Sequence, residues 1–372
     1  MTNRQRFECA MRRVPPDRVP LDIGATSLTG IRSDCRKRLA DLLGFTTDEQ
    51  ILEWAGTDFR AVGAIVDLPG TNARRISATA RINCWGVRQE HIDGQWQITH
   101  NPLRGCSSDD LDSYPWPEAR IDEDLLTRWE QEARVLREQD RYVIIAEHPV
   151  FGILELGAWM CGYDEFFLKM AMDPDFVIRF FDKVLAIQLA VIEPYYQVLG
   201  PYIDLTMSGD DFGAQNGPLI SPEMFEELVA PRFTERIRRT KEIAGCYYWH
   251  HSCGSVTKLL DRIIDCGVDI LNPVQTSAAD MDPVLLKKRF GDRIVFWGGV
   301  DVQQFLPRAT PEEVRVEIRS LLNAFGENGG YVMAPAHEIQ NDVPPENIVA
   351  WVESIGASAA GKAPANGGAS RS

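Results

Sequence analysis

Residues 246–272 read CYYWHHSCGSVTKLLDRIIDCGVDILN. The run Cys246–His251 is almost entirely Cys, aromatic and His, as in a strand covered on both faces. Ser255–Cys266 then sets Val256, Leu259, Leu260, Ile263 and Ile264 on one helical face, and Gly267 ends that pattern. Val268–Asn272 returns to a short apolar run. Strand, helix and strand follow one another with almost no linker, which is the grammar of a βαβ unit.

Working outward, the same grammar recurs. The strand-like runs are Arg18–Gly24, Arg60–Ile65, Tyr142–Glu147, Ile203–Ser208, Cys246–His251, Val268–Asn272, Ile294–Gly299 and Gly330–Ala334. Ser221-Pro222-Glu223 and Thr310-Pro311-Glu312 between them are helix starts, with an N-cap, Pro at the first position and acid in the first turn. About eight such repeats predict an α/β fold, a (β/α)8 TIM barrel, with residues 1–356 as a single domain. An open doubly wound sheet is the alternative. Against it, the first run ends Gly24-Ala25-Thr26-Ser27, with no Gly-x-Gly-x-x-Gly fingerprint. Asn83–Ala119 breaks the alternation. Its Trp, Gly and Pro content predicts an irregular insertion, a hairpin lying over one barrel mouth. Ala357–Ser372 is poor in large apolar groups and is expected to be a disordered tail.

The chain has 372 residues, with 39 basic against 54 acidic side chains and a net charge of -15. A surface that negative repels phosphate backbones, so nucleic acid is not an expected partner. No apolar run approaches the ~20 residues of a membrane span, and none behind Met1 reads as a secretory signal. The eight cysteines lack the compact spacing of a disulfide framework. A cytoplasmic protein with reduced thiols is the expectation.

Barrel chemistry lies at the C-terminal strand ends. Those ends carry Glu147-His148, Ser208-Gly209-Asp210-Asp211, His250-His251-Ser252-Cys253, Asn272-Pro273-Val274-Gln275, Gly298-Gly299-Val300-Asp301 and Pro335-Ala336-His337. Acids there also serve as helix caps, but together they converge on one mouth. His251 and Cys253, two apart on an extended segment, point the same way and can share one tetrahedral cation. Nitrogen with soft sulfur favours Zn2+. His337 and Glu147 are the candidates for a third ligand. The N–H groups after Gly254 offer an anion site.

The motifs Pro16-Asp17-Arg18-Val19-Pro20, Tyr114-Pro115-Trp116-Pro117, Asp210-Asp211-Phe212-Gly213, His251-Ser252-Cys253-Gly254 and Trp297-Gly298-Gly299-Val300-Asp301 resemble the uroporphyrinogen decarboxylase superfamily. The likeness runs from Asn3 to Glu353 and is nearest the zinc-dependent, corrinoid-linked methyltransferases. It implies a (β/α)8 barrel and a metal held by a His, a Cys and a later Cys. His251 and Cys253 match the first two positions. No Cys follows Cys266, and His337 stands where the third is expected. The third ligand is then His337, Glu147 or none, and a His/Cys/His set makes a stronger Lewis acid than His/Cys/Cys. Decarboxylases of this superfamily carry arginines after the first strand; here that loop is Gly24-Ala25-Thr26-Ser27-Leu28-Thr29-Gly30.

The resemblance implies a methyltransferase moving CH3 between a small substrate, a methoxylated aromatic or a thiol, and the cobalt of a corrinoid. The cofactors implied are Zn2+ and cobalamin, the latter free or on a separate corrinoid protein. Asp210, Asp211 and Glu147 are the candidate proton carriers. Gln215, Asn272, Gln275 and Asp301 are candidates to orient substrate, and Trp249 and Trp297, with Phe212 and Tyr248, to stack on it. A homodimer is a further expectation, since such barrels often self-associate. Two alternatives stand. One is a metal-independent carboxy-lyase whose Arg6 or Arg18 grips a small acid; the other is a non-catalytic corrinoid or small-ligand binder.

Overall fold

Runs of Val, Ile, Leu and aromatics become inner strands because helices cover one face and the barrel interior the other. The computed structural model describes residues 1–92 and 95–356. Its strands, in chain order, are β1 (Phe59–Val62), β2 (Arg74–Arg75), β3 (Ala80–Ile82), β4 (Arg88–Ile92), β5 (Gln95–His100), β6 (Val143–Glu147), β7 (Leu205–Gly209), β8 (Gly213–Ala214), β9 (Gly217–Pro218), β10 (Tyr247–His251), β11 (Ile270–Asn272), β12 (Val295–Val300) and β13 (Tyr331–Pro335). Seven of them, β1, β6, β7, β10, β11, β12 and β13, lie side by side in that order in one parallel sheet.

Leu21 supplies the eighth stave. It bridges Met333 of β13 in parallel, and its carbonyl accepts the Asp58 N–H at 2.9 Å on the way into β1. The sheet thus closes into the (β/α)8 barrel. The run Arg18–Gly24 is a bridge rather than a strand because side chains take its backbone groups. Asp58 Oδ2 accepts the Leu21 N–H (2.8 Å), and Thr57 Oγ1 donates to the Ile23 carbonyl (2.8 Å).

Side-chain parity sorts the core into two bodies. Val143, Ile145, Leu205, Met207, Trp249, Ile270, Val295, Trp297 and Val332 point into the barrel, where Phe7 and Met11 of the helix Asn3–Met11 join them. Their outward neighbours, such as Ile144, Tyr248, Leu271 and Phe296, pack against the helices. Arg6 pairs with Asp58 and Asp17 at 2.7 Å each, and Arg18 with Asp58 at 2.8 Å. Asp58 directly precedes β1, so these guanidiniums serve the N-terminal end of the barrel. They lie away from the mouth where a lyase reading placed them on substrate.

The insertion begins earlier than Asn83. Strands β2 to β5 form a four-stranded antiparallel sheet, and only the segment after His100, with its one short helix Asp110–Ser113, is irregular. It leans on the helix Ile153–Cys161, through Asn101 Nδ2 to the Trp159 carbonyl (2.7 Å) and the Leu103 N–H to the Met160 carbonyl (2.8 Å). It therefore backs one wall of the mouth. The tail expected at Ala357–Ser372 lies outside the described residues.

Asp22 makes a pH prediction. It is fully buried, and its carboxyl accepts from Thr29 Oγ1 (3.0 Å), Ala25 N (3.2 Å) and Trp297 Nε1 (3.1 Å). Burial pushes it up to about 7, against the downward pull of those donors. An unfolded Asp titrates near ~3.9. Between roughly pH 4 and 7 the folded chain therefore keeps a proton that the unfolded chain releases. The contribution is complete below that window and is lost as pH rises through it, by a few kcal/mol at most. Subtracting the Tm of Asp22→Asn from that of the wild type at each pH should give a difference that falls from pH ~5 to ~8. A flat difference would mean that Asp22 ionises like an exposed acid.

Candidate active site and metal centre

Alternation along β10 aims Tyr247, Trp249 and His251 into the barrel, with His251 uppermost and Trp249 one layer below it. Two residues past the strand end, Cys253 brings Sγ to 3.3 Å from His251 Nε2. His337, after β13, completes a trio whose ligand atoms lie within 4.8 Å of one another. Ligands of a tetrahedral zinc sit roughly 3.5 Å apart, given metal bonds of ~2.0–2.3 Å. The His251–Cys253 edge already has that length. Glu147 is not part of this trio.

Asn272 sets the tautomer of His251. Its Nδ2 donates to the Trp297 carbonyl (3.1 Å), so its Oδ1 faces His251 Nδ1 (2.6 Å). Nδ1 then carries the ring proton, and Nε2 presents a bare lone pair toward Cys253. Asn272→Ala should weaken zinc binding about 10- to 100-fold in a chelator competition, since such outer partners typically matter that much. An unchanged affinity would remove Asn272 from the design. His337 is the adjustable member. Its Nδ1 accepts the Glu338 N–H (2.8 Å), so either ring nitrogen reaches a metal only at the cost of that contact: Nε2 once its proton has moved to Nδ1, or Nδ1 once it has released the N–H.

Electrostatics favour a cation here. Burial, then Asp211 and Glu155, push the Cys253 thiol well up from its usual range. Burial and the neighbouring His251 bring His337 down to about 4. A thiolate in that setting needs positive charge beside it, and a divalent ion supplies that directly. The donor set therefore fits zinc.

The trio borders a cavity of about 210 Å³ lined by Glu147, Asp211, His251 and His337 among the residues expected from sequence. Glu147 Oε1 accepts the Ser27 N–H (2.8 Å), tying down the loop after the first stave. Asp211 Oδ1 accepts the Cys253 N–H (2.8 Å) and stands 3.9 Å from His251 Nε2. Burial raises Glu147 above the ordinary carboxylate range.

Other expected residues sit elsewhere. Asp210 is fully buried and accepts the Leu154 and Glu155 N–H groups (3.0 and 2.9 Å), so it anchors the start of the helix Ile153–Cys161. A Cβ at Gly152 would come within 2.1 Å of that carboxyl, which is why glycine precedes the helix. Asp301 accepts three successive N–H groups, from Gln303, Gln304 and Phe305 (2.9, 2.6 and 3.0 Å), and acts as a turn cap. Gln275 accepts the Gly254 N–H (2.9 Å) and meets Gln215 (3.4 Å), which itself donates to the Ser277 carbonyl (2.5 Å). That occupies the N–H read as part of an anion site. The two glutamines lock loops together outside the cavity lining.

The aromatics are corrected as well. Trp249 and Trp297 are fully buried and stacked at 4.4 Å inside the barrel. Tyr248 and Phe212 pack outside it, under the helices. None of the four lines the cavity.

Sequence reasoning missed Glu155, which lines the cavity from the helix Ile153–Cys161 and is raised well above its ordinary value by burial, then Asp211 and Asp210. Its signal was present: Glu155 is the only charged residue of ILELGAWMC. Phe151 and Trp159 of the same wall were also unread, and their rings meet edge-on at 4.9 Å.

Comparison with known proteins fits this geometry. Residues 135–357 match the family model described as uroporphyrinogen decarboxylase (URO-D). The uroporphyrinogen decarboxylase of Psychromonas ingrahamii is 36% identical over 96 residues, 26% of this chain and 25% of that protein. That of Methylococcus capsulatus is 27% identical over 129 residues, 33% and 34% of the two chains. The aligned stretches thus span about a quarter to a third of these relatives. A methyltransferase from Methanosarcina mazei superposes with a TM-score of 0.63, covering 96% of this chain and 98% of that one. At 18% identity, that likeness concerns the fold.

Proposed function

The chain belongs to the uroporphyrinogen decarboxylase family, and from that premise we propose that it is a zinc-dependent methyltransferase acting between a small substrate and a corrinoid. The observation that carries the reading is the His251/Cys253/His337 trio at the C-terminal mouth, beside a cavity. A family member that only decarboxylated porphyrinogens would need neither the sulfur nor the ring-nitrogen convergence.

The three side chains would hold the ion, with Asn272 fixing His251. Bound there, zinc supplies Lewis acidity, polarising an ether oxygen or lowering the pKa of a thiol. The corrinoid, free or on a separate protein, is the other party to the methyl exchange. The remaining steps fall to the protein. Asp211 and Glu147 face the cavity and can move a proton at their Oδ and Oε atoms. Phe151 and Trp159 wall off water. The cavity lies below the ~300–1,000 Å³ of drug-sized pockets, which suits a substrate of single-ring or amino-acid size.

Three features support this reading over a carboxy-lyase. Arg6 and Arg18 are committed to Asp58 at the far end. The loop from Gly24 to Gly30 brings no guanidinium. The charged cavity lining is acidic. Metal analysis of the purified protein, with methyl-exchange assays against cobalamin, tests the proposal. Near one equivalent of zinc is expected; below about a tenth of an equivalent, the reading fails.

A further inference from the structure

The charges lining the cavity are of one sign. Glu147, Glu155 and Asp211 face it, and among the described residues no Lys or Arg lines it. Arg236 lies behind this wall, buried, donating to the Phe151 carbonyl (3.0 Å) and Ser208 Oγ (3.3 Å). A divalent ion on the trio is balanced by the Cys253 thiolate and Asp211 beside it. Glu147 and Glu155 then remain without a basic partner in a partly dry site, where burial leaves each either to keep a proton or to meet positive charge brought by a ligand.

A further observation points to what that ligand carries. Phe151 and Trp159 stand in the same wall as Glu155, and ring faces attract alkylated or protonated nitrogen.

We infer that the cavity selects a small cationic substrate, one that carries a protonated or alkylated amine at the Glu147/Glu155/Trp159 side and presents an oxygen or sulfur toward His251, Cys253 and His337. The oxygen or sulfur end rests on the function proposed above. The amine end rests on the lining alone.

Three probes of equal shape separate the charges: 4-methoxybenzylamine, 4-methoxybenzyl alcohol and 4-methoxybenzoate. Each is titrated calorimetrically into the zinc-loaded wild type, Glu155→Gln and Glu147→Gln, and into zinc-free Cys253→Ala. The amine should bind at least about tenfold more tightly than the benzoate, and added salt should narrow the gap. Glu155→Gln and Glu147→Gln, which keep shape and remove charge, should each shrink it severalfold, while Cys253→Ala should preserve it. Equal or tighter binding of the benzoate, or no binding of any probe up to about 10 mM, overturns the inference. Zinc at full occupancy with no charge preference defeats the cation site and spares the metal reading. An amine preference in a protein that takes up no zinc does the reverse.

Discussion

Cys253→Ala is expected to leave the purified protein nearly free of zinc, below about a tenth of an equivalent, and to lower methyl exchange by about a hundred- to a thousandfold. His251→Ala should do the same. These two form the short 3.3 Å edge of the trio, and Asn272 has already paid the orientational cost of His251. His337→Ala should weaken the metal less, because its ring must first change its bond with the Glu338 N–H. Glu147→Ala should keep its zinc, because Glu147 stands outside the trio. Cobalt(II) substitution adds a readout independent of turnover: a thiolate-to-metal charge-transfer band in the wild type that Cys253→Ala lacks. Should Glu147→Ala lose the metal while His337→Ala retains it, the ligand assignment is wrong.

What the sequence disclosed follows from parity. Two residues apart on a strand means the same face, so His251 and Cys253 were legible as a pair before any coordinates. The strands were legible because continuous apolar runs are what doubly covered staves require. Depth was not legible. Trp249 shares a face with His251, yet it lies one layer lower, among Trp297, Phe59 and Phe7. Nor can a strand end reveal which donors meet an acid. Asp210 and Asp301 look like site residues in one dimension and act as caps: the N–H groups that Asp210 binds come from a helix that only the fold brings near, whereas those of Asp301 come from the turn that follows it in the chain. Glu155 escaped notice for the converse reason: it reaches the cavity from a helix, where no strand-end rule applies.

Trp297→Ala should cost about 3–5 kcal/mol of stability while leaving zinc in place. Its ring stacks on Trp249 at 4.4 Å, tilts against Phe59 at 4.4 Å and meets Phe7 edge-on at 6.4 Å. Alanine would open a cavity among three aromatic neighbours held by eight staves that cannot collapse inward. It would also strip Asp22 of its indole donor, so that the loss should deepen as pH rises and Asp22 ionises without it. The metal site should survive because Asn272 is held by the backbone carbonyl of residue 297, which alanine retains. Trp297→Phe restores most of the buried area without the N–H, and should recover stability at low pH more fully than at high pH. Denaturant titrations of both variants at two pH values, with zinc measured alongside, separate this account from the sequence expectation that Trp297 stacks on substrate. A stacking residue would lose ligand affinity at nearly unchanged stability; a core residue loses stability first.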